Sequence, residues 1–174
     1  ADEIFVTDHL NDRIQKFDRE GTLLAHFPVL PNPGVLALDK RGNLILSHIV
    51  ASGSSKHKIG DRISIYSPAG KLIRQWGETG SKPGQFNCPG GIAVASHGQI
   101  YVADQTNHRV QVFDPKGKYL FQWGKYGNQP GEFGGKSSQN SRVGGPQFIA
   151  FDSKGTVWTT EGANCRIQQF TAEG

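Results

Sequence analysis

The sequence predicts an all-β fold, a β-propeller of four-stranded antiparallel blades that forms part of a six-bladed ring. Three observations carry this prediction. One phrase recurs four times, beginning at Asp12, Asp61, His108 and Cys165. Within each copy, short runs of β-branched and aromatic residues alternate with turns. The 174 residues include 23 glycines, which tight turns need. Self-similarity at a period of roughly 40–50 residues indicates a repeat architecture.

The third copy of the repeat shows the strands most clearly. Strands A to D are predicted at Gly91–Val94, Ile100–Asp104, Arg109–Phe113 and Tyr119–Trp123. The segment Asp114–Gly117 has Asp first, Pro second and Gly fourth, which suits a type I turn. Four consecutive antiparallel strands are the unit of a propeller.

The other copies align with the third and divide the chain into four blades. The predicted boundaries are 1–31 (strands B to D), 32–77, 78–124 and 125–174 (strands A to C). Strand A is predicted at 35–38 and 148–151, and strand B at 4–8, 43–46 and 156–159. An open edge strand invites pairing with other chains. We therefore expect a longer chain or another subunit to supply the remaining blades.

The third copy also resembles a known family. The stretches Ile100–Asp104, Asn107–Asp114, Gly117-Lys118 and Trp123-Gly124 resemble the NHL-repeat family of β-propellers, and the resemblance extends over essentially the whole chain. The letters N-H-L name residues 107–110, which here read Asn-His-Arg-Val. The family includes RNA-binding modules, protein-binding modules, extracellular sensor domains and a zinc-dependent lyase. The resemblance therefore implies the fold and leaves the function open.

A metal site is not expected from the histidines of this chain. In the family's zinc lyase, one ligand is a histidine just after a proline that begins strand A. The matching positions here are Gly34, Gly90 and Gln147. The six histidines also lack the short spacing of a structural zinc site. No cofactor is predicted, and ligands on other blades stay open.

An acidic residue and an arginine, five positions apart, recur in three blades. The spacing places a carboxylate at the end of strand B and a guanidinium at the start of strand C, where the two can pair. A single active site does not need three copies, so we expect structural pairs and no catalytic residue. The pairs are Asp8 with Arg13, Asp104 with Arg109, and Glu161 with Arg166. Likewise, Trp76 and Trp123, at the ends of D strands, are expected to pack between blades.

Propeller topology sorts the connections onto two faces. The A–B and C–D turns share the bottom face and are short, whereas the B–C and D–A connections share the top face. The top-face connections 47–61 and 124–146 are long. Insertions on one face of a repeat protein mark its binding face. The candidate binding residues are Lys56, His57, Lys58, Lys125, Tyr126, Lys136, Asn140 and Arg142.

These observations favour a non-catalytic binding or scaffold propeller that recognises a protein or peptide through its top-face loops. A metal-dependent lyase or hydrolase with its site in the central opening is the first alternative, and single-stranded RNA binding is the second. RNA binding needs basic residues interleaved with aromatics, and Tyr126 is the one prominent exposed aromatic candidate. The net charge of +4 is spread over both faces. Both cysteines are expected to be free thiols. The segment is expected to be soluble, without a membrane span, and its compartment stays open.

Overall fold

A computed structural model describes residues 3–49, 60–134 and 144–174. Within these ranges the chain forms four consecutive antiparallel sheets and one short parallel ribbon. Each of the four sheets is a meander in which neighbouring strands are consecutive in the sequence. The four-stranded antiparallel sheets confirm the predicted all-β class. None of the described helices is long and apolar enough to cross a membrane.

The strands of the first two sheets have the following bounds. Sheet 1 contains β1 (Ile4–Asp8), β2 (Arg13–Phe17) and β3 (Leu23–Pro28), and sheet 2 contains β4 (Pro33–Leu38), β5 (Leu44–His48), β6 (Arg62–Tyr66) and β7 (Leu72–Trp76). A 3-10 helix, His9–Asn11, connects β1 to β2.

The second half of the chain repeats this pattern with one addition. Sheet 3 contains β8 (Pro89–Val94), β9 (Ile100–Asp104), β10 (Arg109–Phe113) and β11 (Tyr119–Trp123); the ribbon contains β12 (Tyr126–Gly127) and β13 (Phe133–Gly134); sheet 4 contains β14 (Phe148–Phe151), β15 (Val157–Glu161) and β16 (Arg166–Phe170). A second 3-10 helix, Gln105–Asn107, connects β9 to β10.

The structure differs from the prediction where a local pattern carries no signal. Strands β4 and β8 begin two residues earlier than predicted, because a register shift follows Pro33 and Pro89 and breaks the simple alternation. Strands β5 and β15 end two residues later than predicted, at His48 and Glu161. The parallel ribbon of β12 and β13 was not predicted, since two residues per strand are too few to show a periodicity.

The core lies between neighbouring sheets. Aliphatic and aromatic side chains from two consecutive sheets bury one another in three clusters, one for each boundary. The predicted packing of the tryptophans between blades is confirmed. The ring of Trp76 lies 5.6 Å from Phe113 of sheet 3, and Trp123 lies 5.8 Å from Phe170 of sheet 4. Such aromatic contacts stabilise the boundary beyond the area that they bury.

Gly117, in the β10–β11 turn, has to be glycine for two reasons. Its φ of +81° lies in the left-handed region, and a Cβ atom here would lie 2.7 Å from the Trp76 ring. Gly70 and Gly174 stand in the same relation to Phe27 and Trp123. In sheets 2, 3 and 4 the turn that follows strand C therefore packs directly on the last strand of the preceding sheet.

The outer face of sheet 4 differs from the boundaries between the other sheets. At one position of strand C the side chain points at the following sheet, and Ile14, Ile63 and Val110 are all 0% exposed there. The matching Ile167 of sheet 4 is 65% exposed, and Phe148, at the same level of the sheet on β14, is also exposed. Among the described residues, no further sheet covers this apolar face. It is the surface on which a further blade would be expected to pack.

Candidate functional site on the top face

The connection between β9 and β10 shows how the top face is built. Asp104 ends β9, the 3-10 helix follows, and His108 adopts a left-handed φ of 55° before Arg109 begins β10. This tight path sets Asp104 opposite Arg109 in the strand register. The Arg109 Nε donates a hydrogen bond to Asp104 Oδ2 at 2.8 Å. The sequence thus forms a carboxylate–guanidinium pair across a turn of only four residues.

Arg109 also holds the connection that arrives from the preceding sheet. Its two terminal nitrogens donate to the carbonyl oxygens of Ser81 at 2.8 Å, Lys82 at 3.0 Å and Gln85 at 3.0 Å. The side chain is only 7% exposed. One buried guanidinium therefore joins the B–C connection of sheet 3 to the D–A connection between sheets 2 and 3.

Sheet 4 repeats this arrangement with different residues. Arg166 donates to Glu161 and to the carbonyl oxygens of Asn128 at 2.8 Å, Gln129 at 3.0 Å and Glu132 at 2.7 Å. The three carboxylate–arginine pairs selected in the sequence are therefore all in contact. We interpret them as structural, because two of the arginines fasten successive connections in the same way.

The pair in sheet 1 is more exposed, and its electrostatics differ. Arg13 donates to Asp8 Oδ2 at 2.8 Å, with 36% of the arginine side chain exposed. Hydrogen bonds from Arg13 and Asn11 lower the pKa of Asp8. For the fully buried Asp104, burial raises the pKa, while hydrogen bonds from Asn87, Asn107 and Arg109 oppose the rise. The Asp8–Arg13 pair of sheet 1 is thus partly exposed to solvent, whereas the equivalent Asp104–Arg109 pair of sheet 3 is buried.

Sheet 2 departs from this pattern. His48 takes the place of the carboxylate and stands opposite Arg62 in the register. Its Nδ1 lies 3.0 Å from the Pro31 carbonyl oxygen and its Nε2 lies 2.6 Å from Ser64 Oγ. A carbonyl only accepts, so Nδ1 carries the proton and Nε2 accepts from the Ser64 hydroxyl. The His48 and Ser64 side chains are both buried, so they cannot reach a substrate, and we interpret their hydrogen bond as structural.

The burial of His48 predicts a pH-dependent stability. Desolvation lowers its pKa from 6.5 to about 4. The unfolded chain therefore takes up the proton first, and the free energy of unfolding falls as the pH drops from 6.5 towards 4. At pH 5 the expected loss is about 2 kcal/mol relative to pH 7, at about 1.4 kcal/mol per pH unit. Urea unfolding at the two pH values measures it. The variant His48→Gln should lose this difference, and an unchanged difference would contradict the assignment.

His108 is the feature of the top face that sequence reasoning missed. The residue is 7% exposed, and within the ranges that the structure describes neither ring nitrogen has a hydrogen-bond partner. The ring lies edge-on to Tyr126, with centroids 5.0 Å apart. A Cβ atom on Gly134 would lie 2.5 Å from the His108 Nδ1 and 2.7 Å from the Gly144 carbonyl oxygen. His108 therefore lies at the base of the long connection 124–146, within reach of residues on both sides of the undescribed stretch.

The candidate binding residues fall into two groups. Lys125 is described and exposed, with its side chain 77% accessible, and its Nζ lies 3.2 Å from Glu132 Oε1. Tyr126 lies in the β12–β13 ribbon and its ring packs against His108, so it is half-buried. The prediction that Tyr126 is prominently exposed was therefore wrong. The others, in 50–59 and 135–143, lie outside the described residues: Lys56, His57, Lys58, Lys136, Asn140 and Arg142.

The central opening does not present a zinc site in the described residues. No three His, Cys, Asp or Glu side chains gather there in a way that could hold a metal. The positions that follow the prolines of strand A are Gly34, Gly90 and Gln147. Cys88 precedes Pro89 and is buried, with its Sγ 3.5 Å from Gln105 Oε1. Among the described residues, neither Cys88 nor Cys165 forms a disulfide.

Comparisons with known proteins agree with this architecture. The family model described as "NHL repeat" matches residues 86–113, so the chain contains an NHL repeat. Mouse peptidyl-glycine alpha-amidating monooxygenase is 49% identical over 51 residues, which is 26% of this chain and 5% of that protein. The structure is similar to a streptogramin B lyase at 18% identity, with a TM-score of 0.68 over 99% of this chain and 49% of that chain.

A second solved structure gives the same result. An inactive variant of virginiamycin B lyase from Staphylococcus aureus, with quinupristin, is 16% identical, with a TM-score of 0.67 over 99% of this chain and 50% of that one. The chain thus spans about half the length of these six-bladed propellers. At this level of identity the likeness shows the fold.

Proposed function

We propose that this chain, a propeller segment containing an NHL repeat, binds a peptide or protein partner through its top face at the site formed by His108 and Tyr126. The observation that carries the proposal is the buried His108 imidazole, whose two nitrogens have no hydrogen-bond partner among the described residues. Buried polar groups are nearly always hydrogen-bonded, so an exception calls for an explanation. A ligand that reaches this ring supplies one.

A peptide has the chemistry that the site needs. A neutral imidazole offers one donor and one acceptor, and a peptide group offers the complementary carbonyl and N–H. The Tyr126 ring beside His108 adds an aromatic surface of the kind enriched in binding interfaces. Lys125, already paired with Glu132, marks a polar rim.

The connections around this site also support a binding role. The two long ones, 47–61 and 124–146, both belong to the top face, and they contain Lys56, Lys58 and Arg142. Cations at the edge of an interface steer an acidic partner and raise its association rate. We therefore expect the preferred peptides to be acidic.

A second candidate function follows from the mouse relative. Its name describes an enzyme that acts on peptidyl-glycine, and its identity with this chain is 49% over 51 residues. A peptide-modifying propeller would share the peptide ligand but take its catalytic groups from outside the described residues. Metal content of the full-length protein separates the two. A stoichiometric metal together with turnover of a glycine-terminated peptide supports the enzyme, and binding without either supports the binding module.

The proposed site is tested with peptides selected by the full-length protein from a phage-displayed random library. For a selected peptide, His108→Phe should raise the Kd about tenfold, because two hydrogen bonds worth about 1 kcal/mol or less each are lost. Replacement of Lys56, Lys58 or Arg142 by alanine should also weaken binding. Lys154→Ala, on the bottom face, is the matched control and should leave the Kd unchanged.

Two results would contradict the proposal. One is unchanged affinity in His108→Phe, provided that the variant melts at the same temperature as the parent. The other is an equal loss of affinity in Lys154→Ala, which would show that binding is not confined to the top face.

A further inference from the structure

A cavity opens on the bottom face between sheets 2 and 3, opposite to the site proposed above. Its volume is about 650 Å³. The floor is aliphatic and is formed by the half-buried Val94 and by Ile45, Ile65 and Ile100, which are only 1–7% exposed at the edge of the core. The rim is cationic and is formed by Lys40, Arg41, Arg74 and Lys116. Small-molecule sites have this size and this mixture of apolar walls with a few charged groups.

The boundary beside the cavity has smaller side chains than the next one. Between sheets 3 and 4 the matching space is filled by Tyr101, whose ring lies 4.9 Å from Phe151 and whose hydroxyl donates to the Ala172 carbonyl oxygen at 3.0 Å. Between sheets 2 and 3, Ile45 stands at the position of Tyr101 and Val94 at that of Phe151. Two aromatic rings are thus replaced by smaller aliphatic groups at the boundary where the cavity lies.

At a further position of this boundary, the two sheets differ in charge as well as in size: sheet 2 has Arg74. The matching residue of the next blade is Phe121, which packs against the core, because the register sets Arg74 opposite Ile65 and Phe121 opposite Val112. An arginine has therefore replaced a core aromatic at the edge of the cavity. Arginine combines an apolar stem with a guanidinium that binds carboxylates through two parallel hydrogen bonds.

The cations of the rim are available to a ligand. Within the described ranges, none of Lys40, Arg41, Arg74 and Lys116 forms an ion pair. The one carboxylate of the lining, Asp39, is committed to its own turn. It accepts hydrogen bonds from the backbone N–H groups of Arg41 at 2.8 Å and Asn43 at 2.9 Å. Four cations thus face one engaged carboxylate.

From these observations we propose that the cavity binds a small organic anion with an apolar body, a carboxylate whose hydrocarbon part lies on the floor and whose head meets Arg74 and Lys116. The floor removes the hydrocarbon from water, which is favourable in proportion to its area. The rim supplies charge-assisted hydrogen bonds to the head. The site is independent of the top-face function, since it lies on the opposite face and uses other residues.

The probe is decanoate, kept below its micelle concentration and titrated into the full-length protein by calorimetry. Saturable binding is expected, weakened at higher salt because the rim is exposed. Ile45→Phe places in the cavity the ring that Phe5 provides at the matching position of sheet 1, and should abolish binding. The double variant Arg74→Gln and Lys116→Gln should raise the Kd at least about fivefold, by the loss of two charge contacts.

Matched controls separate this cavity from the rest of the surface. Lys154→Gln changes the same turn position as Arg41 but on sheet 4, outside the cavity, and should leave the decanoate Kd unchanged. Decylammonium, with the same chain and the opposite charge, should bind at least about tenfold more weakly than decanoate.

Several results would overturn the proposal. These are the absence of saturable decanoate binding, equal binding of decylammonium, and unchanged binding in an Ile45→Phe variant that keeps the parent melting temperature. Binding of an acidic hydrophobic peptide at this face without decanoate binding would also refute it, because the occupant would then be a peptide.

Discussion

Replacing Arg109 with alanine is expected to lower the free energy of unfolding by about 3–5 kcal/mol, because the change leaves the Asp104 carboxylate buried without its cation. The change also frees the carbonyl oxygens of Ser81, Lys82 and Gln85, which now accept from the guanidinium. Urea unfolding followed by tryptophan fluorescence measures the loss, since Trp76 and Trp123 lie at the two boundaries of sheet 3.

The matched control is Arg13→Ala in sheet 1. Arg13 holds the same position in the repeat but is 36% exposed, so its pair with Asp8 is expected to contribute about 1 kcal/mol or less. Arg109→Lys should recover only part of the loss, because an ammonium cannot reproduce the fork that spans several carbonyl oxygens. An equal loss in the free energy of unfolding for Arg109→Ala and Arg13→Ala would show that the buried Arg109 does not hold the connections.

Replacing Tyr101 with alanine is expected to cost about 3–5 kcal/mol, the range for truncating a large buried aromatic. Tyr101 is fully buried and contacts Trp123 and Phe151, and its hydroxyl donates to Ala172 at the far end of sheet 4. Tyr101→Phe isolates the hydroxyl and should cost about 1 kcal/mol. Thermal unfolding of the two variants measures both effects. A cost below about 1 kcal/mol for Tyr101→Ala would show that this ring does not fill the boundary between sheets 3 and 4.

The repeated phrase was sufficient to predict the strands because each one carries its own local signal. Strands β9, β10 and β11 have the predicted bounds, since alternating apolar residues and a Gly-containing turn define them locally. The pairing of Asp104 with Arg109 also followed from spacing, because the two residues face each other across one short connection.

The features missed by the prediction depend on contacts between distant parts of the chain. His108 is buried where Tyr126, Gly134 and Gly144 come to lie around it, and nothing in the sequence around position 108 indicates those contacts. The half-buried position of Tyr126 was missed for the same reason. His48 could have been found by aligning all four copies, since it stands where the others have Asp or Glu. The bottom cavity likewise follows from comparing Ile45 with Tyr101 and Phe5, but only once their shared position between sheets is known.

The two faces of the segment therefore differ in design. On the bottom face the turns are short, and a cavity lies between sheets 2 and 3. On the top face, Arg109 and Arg166 hold the connections, and the two His108 ring nitrogens have no hydrogen-bond partner in the described ranges. Rigid support beneath variable connections is how repeat proteins present binding residues.

Long-range nitrogen–proton correlation spectra of the His108 imidazole, recorded on the full-length protein with and without a selected peptide, test the proposed site most directly. The resonances of both ring nitrogens are expected to shift when peptide is added, because each gains a hydrogen-bond partner that the described part of the chain does not provide. Unchanged His108 resonances at saturating peptide would contradict the assignment of the top face as the binding site.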